Sequence, residues 1–401
     1  MANWDSSVGY AWWLMESHWI AISRHYADHY QTHLAYPSIS DVPANIAAAP
    51  IAIHQQDFSF GGIGALREQL RFIRTHLIRT IYFTDRPAFS WRYLVYRAAG
   101  VQFIAIHDHT PGMRTSPRGL KRALKWMAQR MPGLAADVQI GASEFVRRRL
   151  IDVGCAPPEK CFCAPNGLPM QNFEPMDVHT EFGIPRHRKI FVTAARASKY
   201  KGIDFAMRAL AATGRNDWHY LLCGDGPDLQ RFRDIAAELR IEDQVTFAGT
   251  RPDVPNILLG CYAALHPSEG EVGYSLAILE YMRAGLPVIV PNNPSVTGAT
   301  SRLTGIIYKN TQGAIQGILK LLKMPNYARS LGQHSREYVQ THHPIEKTHS
   351  ALLAALERVM PVKALRKYPT RHAKKPASAS ITCVTSDRSA AAPTTRVPRE
   401  D

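Results

Sequence analysis

Short apolar runs alternate with helical segments along most of the chain, and this alternation limits the fold more than any other feature. From Lys189 onward, segments with helical periodicity separate apolar runs that are four to seven residues long. Helices that separate successive strands in this way are typical crossovers between neighbouring parallel strands. The pattern therefore predicts an α/β fold. The predicted strands are Lys189–Ala195, His219–Cys223, Val245–Gly249, Cys261–Pro267 and Pro287–Pro291, and the helices between them include Ile203–Leu210 and Leu229–Leu239.

The same alternation occurs before Pro169, so a second α/β domain is expected there. A chain of 401 residues is long enough for two such domains with a cleft between them. The predicted strands are Ile51–Ile53, Thr80–Phe83 and Gln102–Ile106, and the predicted helices are Ala65–Ile78 and Leu120–Met131. The expected domains are 1–170, with a first strand that is short or missing, 171–345, a closing helix at 346–361 and a disordered basic tail at 362–401.

The net charge of +15 favours negatively charged partners. The tail at 362–401 holds nine Lys or Arg against three acids, so the body retains about +9 and should attract phosphates or anionic lipid. Nucleic-acid binding is not favoured, because the tail has no aromatic residue besides Tyr368. No apolar run reaches about 18 residues and no signal peptide is evident, so we expect a cytoplasmic protein. Its six cysteines form no CxxC pair, which argues against a zinc site.

Charged and glycine-rich loops follow several strands of the second domain. In an open parallel sheet, ligands bind at the carboxyl ends of the strands. The helix that opens at Ser275-Leu276 presents free backbone N–H groups, which suit a phosphate. Arg196 and Lys201 follow the first strand of this domain and bring two positive charges to the same edge. Together these features indicate a diphosphate site, although each alone is also consistent with an ordinary surface loop.

Acids and a glycine turn complete the pattern. Glu280 lies about 7.5 Å along the helix from Ser275, so it suits hydroxyl groups such as those of a ribose, or it is a surface residue. Glu269 and Glu271 precede the helix and could accept hydrogen bonds from a sugar. The turn from Gly224 to Gly226 follows the next strand and is either structural or ligand-binding.

These motifs, in this order, resemble the group 1 glycosyltransferases, family 4, over roughly residues 100–360. They are Ala195-Arg196 with Lys201-Gly202, then Gly224-Asp225-Gly226-Pro227, and then Pro267-Ser268 through Pro287-Val288. The resemblance implies the GT-B architecture, two Rossmann-like domains whose parallel sheets face each other across a cleft. It also implies that Arg196 and Lys201 bind the donor diphosphate, that the Ser275 and Leu276 amides cap it, and that Glu280 holds the ribose.

Two departures from the family pattern concern the acids and the arginine motif. The family separates its two glutamates by seven residues, and counting back from Glu280 gives Val272. Glu271 is therefore the favoured acid facing the donor sugar, and Glu269 is the alternative. The family's usual glycine before Arg196 is Ala195 here.

The first domain offers residues for the other side of the cleft. The resemblance implies that His107, at the end of a strand, acts near the sugar and acceptor, although a structural histidine is the competing interpretation. His109 lies on the same face and is assigned to the acceptor side. Ser143 and Asn166 match cleft positions of the family, and a helix cap and a simple turn are the alternatives. No third ligand is evident beside His107 and His109, so no metal site is predicted.

The predicted function is transfer of a sugar from a UDP- or GDP-sugar to a glycan or lipid-linked acceptor, with retention, and with no cofactor required. The segment at 118–131 forms a basic amphipathic helix that either packs on the sheet or lies on an anionic membrane. Two other functions remain open, a sugar-nucleotide epimerase with the same fold and a non-catalytic nucleotide-sugar-binding protein.

Overall fold

The computed structural model describes residues 1–6 and 12–360, and the predicted tail at 362–401 lies outside these residues. The strands are β1 (Thr32–Tyr36), β2 (Ile51–Gln55), β3 (Thr80–Thr84), β4 (Phe103–Asp108), β5 (Val138–Gly141), β6 (Cys161–Cys163), β7 (Lys189–Ala194), β8 (Trp218–Cys223), β9 (Val245–Gly249), β10 (Ala263–Leu265), β11 (Val288–Pro291) and β12 (Gly305–Tyr308). The helices are α1 (Trp13–Tyr26), α2 (Ala44–Ala47), α3 (Ile63–Thr75), α4 (Trp91–Ala98), α5 (Gly119–Arg130), α6 (Glu144–Asp152), α7 (Val178–Glu181), α8 (Ile203–Ala211), α9 (Leu229–Glu238), α10 (Val254–Leu259), α11 (Leu276–Arg283), α12 (Thr311–Lys323), α13 (Pro325–His342) and α14 (Ile345–Glu357).

The C-terminal sheet has six parallel strands in the order β12-β11-β10-β7-β8-β9. Numbered within the domain, this is the doubly wound order 3-2-1-4-5-6 of a Rossmann-like fold. The chain reverses direction across the sheet between β7 and β10, which are neighbours in space. The loops that follow these two strands therefore meet at the switch point, where ligands of such sheets bind.

Both faces of this sheet are covered by helices, which explains its continuous apolar strands. Side chains alternate between faces, so Phe191 enters one core with Trp218 and Phe232, while Ile190 and Val192 enter the opposite core. Every residue of β8 is buried. The short apolar runs of the sequence are thus central strands.

The N-terminal domain contains two parallel sheets, β1-β2 and β3-β4-β5-β6. Met1–Asn3 lie between them: the Ala2 N–H donates to the Ala35 carbonyl at 2.9 Å, and the Met1 amino group donates to the Tyr82 carbonyl at 2.9 Å. Helix α1 packs beside this junction, where Trp19 is buried with Leu34 and Ile46. Trp19 is thus a core residue.

Helix α14 returns to the N-terminal domain after α13. Leu352, Ala355 and Leu356 of α14 are buried together with Val138 and Ile140 of β5. At its start, the Ile345 N–H donates to the Leu168 carbonyl at 2.9 Å. These observations agree with a two-domain α/β architecture of the GT-B type, as the sequence predicted. The exact boundaries at 170 and 345 stay predictions.

Candidate active site

The loop after β7 is joined to the loop after β8 by backbone hydrogen bonds. The Ala195 N–H donates to the Cys223 carbonyl at 3.1 Å, and the Ala197 N–H donates to the Asp225 carbonyl at 3.0 Å. A Cβ atom at Gly224 would lie 2.0 Å from the Ala195 carbonyl oxygen, and one at Gly226 would lie 2.5 Å from that of Ala197. Both glycines are therefore needed for close packing of the two loops.

The other side of the β7 loop packs against the loop after β10. Gly202 has a φ of +68°, and a Cβ there would lie 2.5 Å from the Pro267 carbonyl oxygen. The Glu269 N–H donates to the Tyr200 carbonyl at 3.0 Å. Lys201 is consequently held between three strand ends at the switch point.

Glu271 forms the charged centre of this site. Its carboxylate oxygen accepts from Lys201 Nζ at 2.5 Å and lies 3.0 Å from His266 Nε2. Glu271 is buried, with 8% of its surface exposed. Burial acts to raise the pKa of Glu271, but the hydrogen bond and charge of His266 and the charge of Lys201 outweigh it and lower the pKa to about 2. Glu271 is therefore an ion-paired carboxylate at neutral pH.

Arg196 lies on the same loop with a different environment. Its side chain is exposed, and it forms no hydrogen bond or ion pair with any other residue in 1–6 or 12–360. One turn of 3-10 helix, Lys199–Lys201, separates the exposed Arg196 from the packed Gly202. A guanidinium in this position is free to bind an anion.

Helix α11 begins at the same edge of the sheet. Ser275 occupies its N-cap position, is buried, and makes no side-chain cap hydrogen bond. The first N–H groups of a helix have no acceptor within the helix, so those at Leu276 and Ala277 are available. The preceding Gly273 adopts a φ of +89° and brings the loop close to the N-terminal domain.

Glu269 and Glu280 lie in different surroundings from Glu271. Glu269 is exposed, and its carbonyl accepts from the Asn293 side chain at 2.7 Å. Glu280 is buried and lines a cavity of about 340 Å³ with Phe173 and Arg283 beside the interdomain connection. Of the three predicted acids, Glu271 is the one that the structure pairs with Lys201.

Ser143 and Asn166 contact the other domain through the loop before α11. Ser143 Oγ donates to the Val272 carbonyl and also accepts from the Val146 N–H at 3.1 Å, so it caps α6 as well. The Asn166 side chain donates to the Tyr274 carbonyl at 3.0 Å. Both residues thus hold the two domains together, and their contact with an acceptor stays a prediction.

His107 is fully buried at the end of β4. Its Nδ1 lies 2.5 Å from the Tyr82 hydroxyl, and its ring centroid lies 4.0 Å from that of His109. Burial, with the nearby imidazoles second, lowers the pKa of His107 well below its usual value. Burial likewise lowers the pKa of His109 to about 4. Both rings are neutral at physiological pH.

The structure corrects one premise of the sequence analysis, because a third imidazole does lie beside His107 and His109. His18 of α1 is fully buried and stacks on His107 with ring centroids 5.2 Å apart. It was missed because it is separated by about 90 residues from the pair, and nothing in its local sequence marks it. His266 was also missed, although it lies next to the last residue of the predicted strand Cys261–Pro267 and four residues before Gly270.

An interdomain cavity of about 540 Å³ opens beside these contacts. Both domains contribute to it: Arg114, Phe145 and Arg149 lie on one side, and Tyr274 and Pro294 on the other. Arg149 is itself paired with Asp108 at 3.2 Å and donates to the Gly112 carbonyl at 2.7 Å. The cavity therefore has a basic wall supported from the end of β4.

Two Rossmann-like domains with a Lys–Glu–His cluster and a helix N-terminus at the switch point define a GT-B protein. Residues 177–338 match the family model described as Glycosyl transferases group 1, which confirms the resemblance over this segment.

The chain is also similar in sequence to individual proteins named as a glycosyltransferase or as a glucosaminyl malate synthase. The chain is 31% identical over 173 residues to N-acetyl-alpha-D-glucosaminyl L-malate synthase from Bacillus anthracis, covering 42% of this chain and 45% of that protein. It is 29% identical over 163 residues to a putative colanic acid biosynthesis glycosyltransferase, WcaL, from Salmonella typhimurium, covering 38% of this chain and 39% of that protein. These matches span less than half the length of either relative.

The fold is similar to that of solved glycosyltransferase structures. Anabaena Alr3699/HepE in complex with UDP-glucose has a TM-score of 0.69 and 15% identity, covering 89% of this chain and 98% of that one. At this identity the similarity concerns the fold. In the part of the chain that the structure describes, no helix combines the length and the apolar character that crossing a bilayer requires.

Substitution of Gly202 tests the packing of the β7 loop. Gly202→Ala should lower the free energy of unfolding by about 2–4 kcal/mol, because left-handed strain and the close approach to Pro267 add together. Gly214→Ala is the matched control, since Gly214 has a φ of +65° and no atom lies within 4 Å of its added Cβ. Urea unfolding should show the larger loss at Gly202, and equal losses would contradict the packing argument.

Glu271 should contribute to the pH dependence of stability. A carboxyl whose pKa falls from 4.5 unfolded to about 2 folded stabilises the protein above pH 4.5 and loses that effect as the pH falls toward 2. Between pH 6 and pH 3.5 the wild type should lose about 1 kcal/mol more than Glu271→Gln.

Urea unfolding at both pH values measures this difference. Glu269→Gln removes the same charge from an exposed position and should behave like the wild type. Equal pH dependence in Glu271→Gln and the wild type would show that the ion pair does not hold in solution.

Proposed function

We propose that this protein is a retaining glycosyltransferase of family 4 that moves a sugar from a nucleotide diphosphate donor to an acceptor hydroxyl. The observation that carries the proposal is the Lys201–Glu271–His266 cluster at the switch point, next to the free N-terminus of α11. Cations and backbone N–H groups at one strand edge suit a diphosphate. The family match supports the same function.

The leaving diphosphate is stabilised by groups already in place. As the bond from the sugar anomeric carbon to the phosphate oxygen breaks, its electron pair and negative charge move to the diphosphate. Arg196, Lys201 and the N–H groups of Leu276 and Ala277 are positioned to stabilise that charge more than they stabilise the intact donor. The Lys201 ammonium has three donors, so it can bind a phosphate oxygen while remaining paired with Glu271.

We infer retention from the group that can take the acceptor proton. Glu271 is a weak proton acceptor because its pKa is about 2. The oxygen of the leaving phosphate therefore takes the proton from the acceptor hydroxyl, while the acceptor oxygen forms the new bond to the anomeric carbon. Since proton and phosphate are on one face of the sugar, the acceptor attacks that face and the configuration is retained.

A UDP-sugar is the first donor to test, with a GDP-sugar as the alternative. Alr3699/HepE, which shares the fold, has been crystallised with UDP-glucose. We assign the donor ribose to Glu280, and sugar hydroxyls to the Glu271 carboxylate with Glu269 as the alternative. The Gly224–Gly226 turn lies beside Ala195–Ala197 and completes the donor site.

The acceptor enters through the interdomain cavity lined by Arg114, Phe145 and Tyr274. Ser143 lines this cavity, we assign His109 and Asn166 to the acceptor side, and we assign His107 a role near the sugar. Met113 lines the cavity, is 62% exposed and precedes α5 in the chain. A glycan carried on a lipid at a membrane beside α5 would reach this cavity.

Helix α5 has the properties of a membrane-contacting surface. It buries only Gln129, while Leu120 is 75% exposed and Leu124 is 53% exposed. Another face of the same helix contacts the domain, since Gln129 accepts from Gln139 of β5 at 2.8 Å and Lys125 donates to the Val153 carbonyl at 2.9 Å. Between residues 114 and 136 the sequence has six Lys or Arg and no acid. An exposed apolar stripe flanked by positive charge favours the surface of an anionic membrane.

Lys201→Ala tests the diphosphate site. Loss of this cation should reduce turnover by about 100- to 1,000-fold and weaken UDP binding by about tenfold or more, because charge on the leaving group loses a partner. Lys199→Ala is the control, since Lys199 is exposed on the same turn.

Product formation from a panel of UDP- and GDP-sugars measures turnover, and calorimetry with UDP and GDP measures binding. Melting curves of both variants show whether each one is folded. A folded Lys201→Ala protein with wild-type turnover would contradict the proposed site.

Leu120→Ser/Leu124→Ser tests the membrane surface. The double variant should lose most of its binding to vesicles of phosphatidylcholine with phosphatidylglycerol, because the apolar stripe no longer inserts. Ile63→Ser/Leu303→Ser is the control, since those side chains are 72% and 67% exposed on other elements. Flotation of the vesicles measures binding. Equal binding by both double variants would exclude α5 as the contact.

A further inference from the structure

We propose that His18, His107 and His109 form a site for one divalent transition metal ion, best matched by Zn²⁺, which joins helix α1 to the carboxyl end of β4. This site shares no residue with the Lys201–Glu271–His266 cluster. It replaces the roles assigned above to His107 and His109, because a nitrogen that binds a metal is not available to a sugar or an acceptor.

The three imidazoles are close enough to share one ion. One ring nitrogen from each residue lies within 4.8 Å of the others. The ring centroids are 5.2 Å apart for His18 and His107, and 5.9 Å apart for His18 and His109. Nitrogens around a tetrahedral zinc ion are about 3.3 Å apart, given bonds of about 2.0–2.1 Å, so small side-chain rotations would complete the site.

The unpartnered nitrogens are the second observation. Both ring nitrogens of His18, both of His109 and Nε2 of His107 are buried with no hydrogen-bond partner among the described residues. Each buried polar atom without a partner costs about 1–3 kcal/mol. Each neutral imidazole has one lone pair and one N–H group, so an ion would bind one nitrogen of each ring. Three buried lone pairs in one cluster indicate a ligand that accepts several lone pairs at once, which is what a metal ion does.

The surroundings of His107 are those of a metal ligand. Its Nδ1 faces the Tyr82 hydroxyl at 2.5 Å, which leaves Nε2 directed at the cluster. A hydrogen bond at the second nitrogen fixes the orientation of a metal-bound imidazole. His18 and His107 are fully buried, which favours the neutral imidazole whose lone pair a metal requires.

The ligand type and enclosure indicate a buried zinc site with three protein ligands. Imidazole suits zinc. The three histidines leave a fourth position for a water molecule, and the burial of the cluster encloses that position. His349 packs edge-on against His18 with centroids 5.9 Å apart, but its Nε2 is already 3.1 Å from Ser17 Oγ, so it is not counted as a ligand. The ion would link helix α1 to β4, which is one of the two central strands of the sheet β3-β4-β5-β6.

A second histidine cluster supplies the control. His33, His54 and His76 also lie close enough for a metal, but they are only partly buried. His33 Nδ1 and His54 Nε2 are 3.0 Å apart and satisfy each other. This cluster lacks the unpartnered nitrogens that mark the first one, so it should bind metal weakly.

The experiment uses the full chain made without a histidine tag and stripped of metal with a chelator. Zn²⁺ is titrated in competition with a chelating dye, and Co²⁺ is titrated while its visible absorption is recorded. The wild type should bind one Zn²⁺ tightly, melt at a higher temperature with Zn²⁺, and give the intense Co²⁺ bands of a four-coordinate site. His18→Gln and His109→Gln should each weaken Zn²⁺ binding by more than about 100-fold, beyond what loss of an outer partner causes.

His54→Gln should keep the wild-type zinc affinity and cobalt spectrum. Zinc binding that is lost in His54→Gln and kept in His18→Gln would overturn the proposal, and so would a wild-type chain that binds neither ion in competition with the dye. Circular dichroism checks the folding of each variant. If His18→Gln fails to fold, His109→Gln and the wild-type cobalt spectrum decide the result.

Discussion

The buried ion pair between Lys201 and Glu271, completed by His266, is the interaction on which the proposed donor site depends. Its residues come from the loops after β7 and β10, which meet because the sheet changes direction between those strands. Removing one partner of a buried pair leaves an uncompensated charge, at a cost of about 3–5 kcal/mol. The cluster therefore holds the loops in place and, in our proposal, also presents a cation to the leaving phosphate.

Contacts between the domains support this arrangement. The Gly112 N–H donates to the Glu271 carbonyl at 2.9 Å, so the turn after β4 touches the backbone of the acid itself. A Cβ at Gly270 would lie 2.9 Å from Gly112 Cα. Ser143 and Asn166 hold the next residues of the same loop. The loop that carries Glu271 is thus shaped by both domains.

Much of the fold could be predicted from the sequence, because strands buried on both faces are continuous apolar runs. The strand at 218–223 and the helix at 203–211 were found in this way within a residue or two. The position of Lys201 at a strand end followed directly from that pattern. Strand β1 and helix α6 were not predicted, since their short and mixed sequences carry weaker periodicity.

The sequence by itself determined the α/β architecture, the loops at the strand ends and the kinds of side chain they carry, because local periodicity and turn residues are encoded in neighbouring positions. Only the tertiary structure decided that Glu271 pairs with Lys201 while Glu269 stays exposed, and that His18 joins His107 and His109. The first set depends on contacts within about ten residues. The pairing of Glu271 with Lys201 and the grouping of the three histidines depend on which distant elements pack together. Neither the spacing of residues nor the composition predicts that packing.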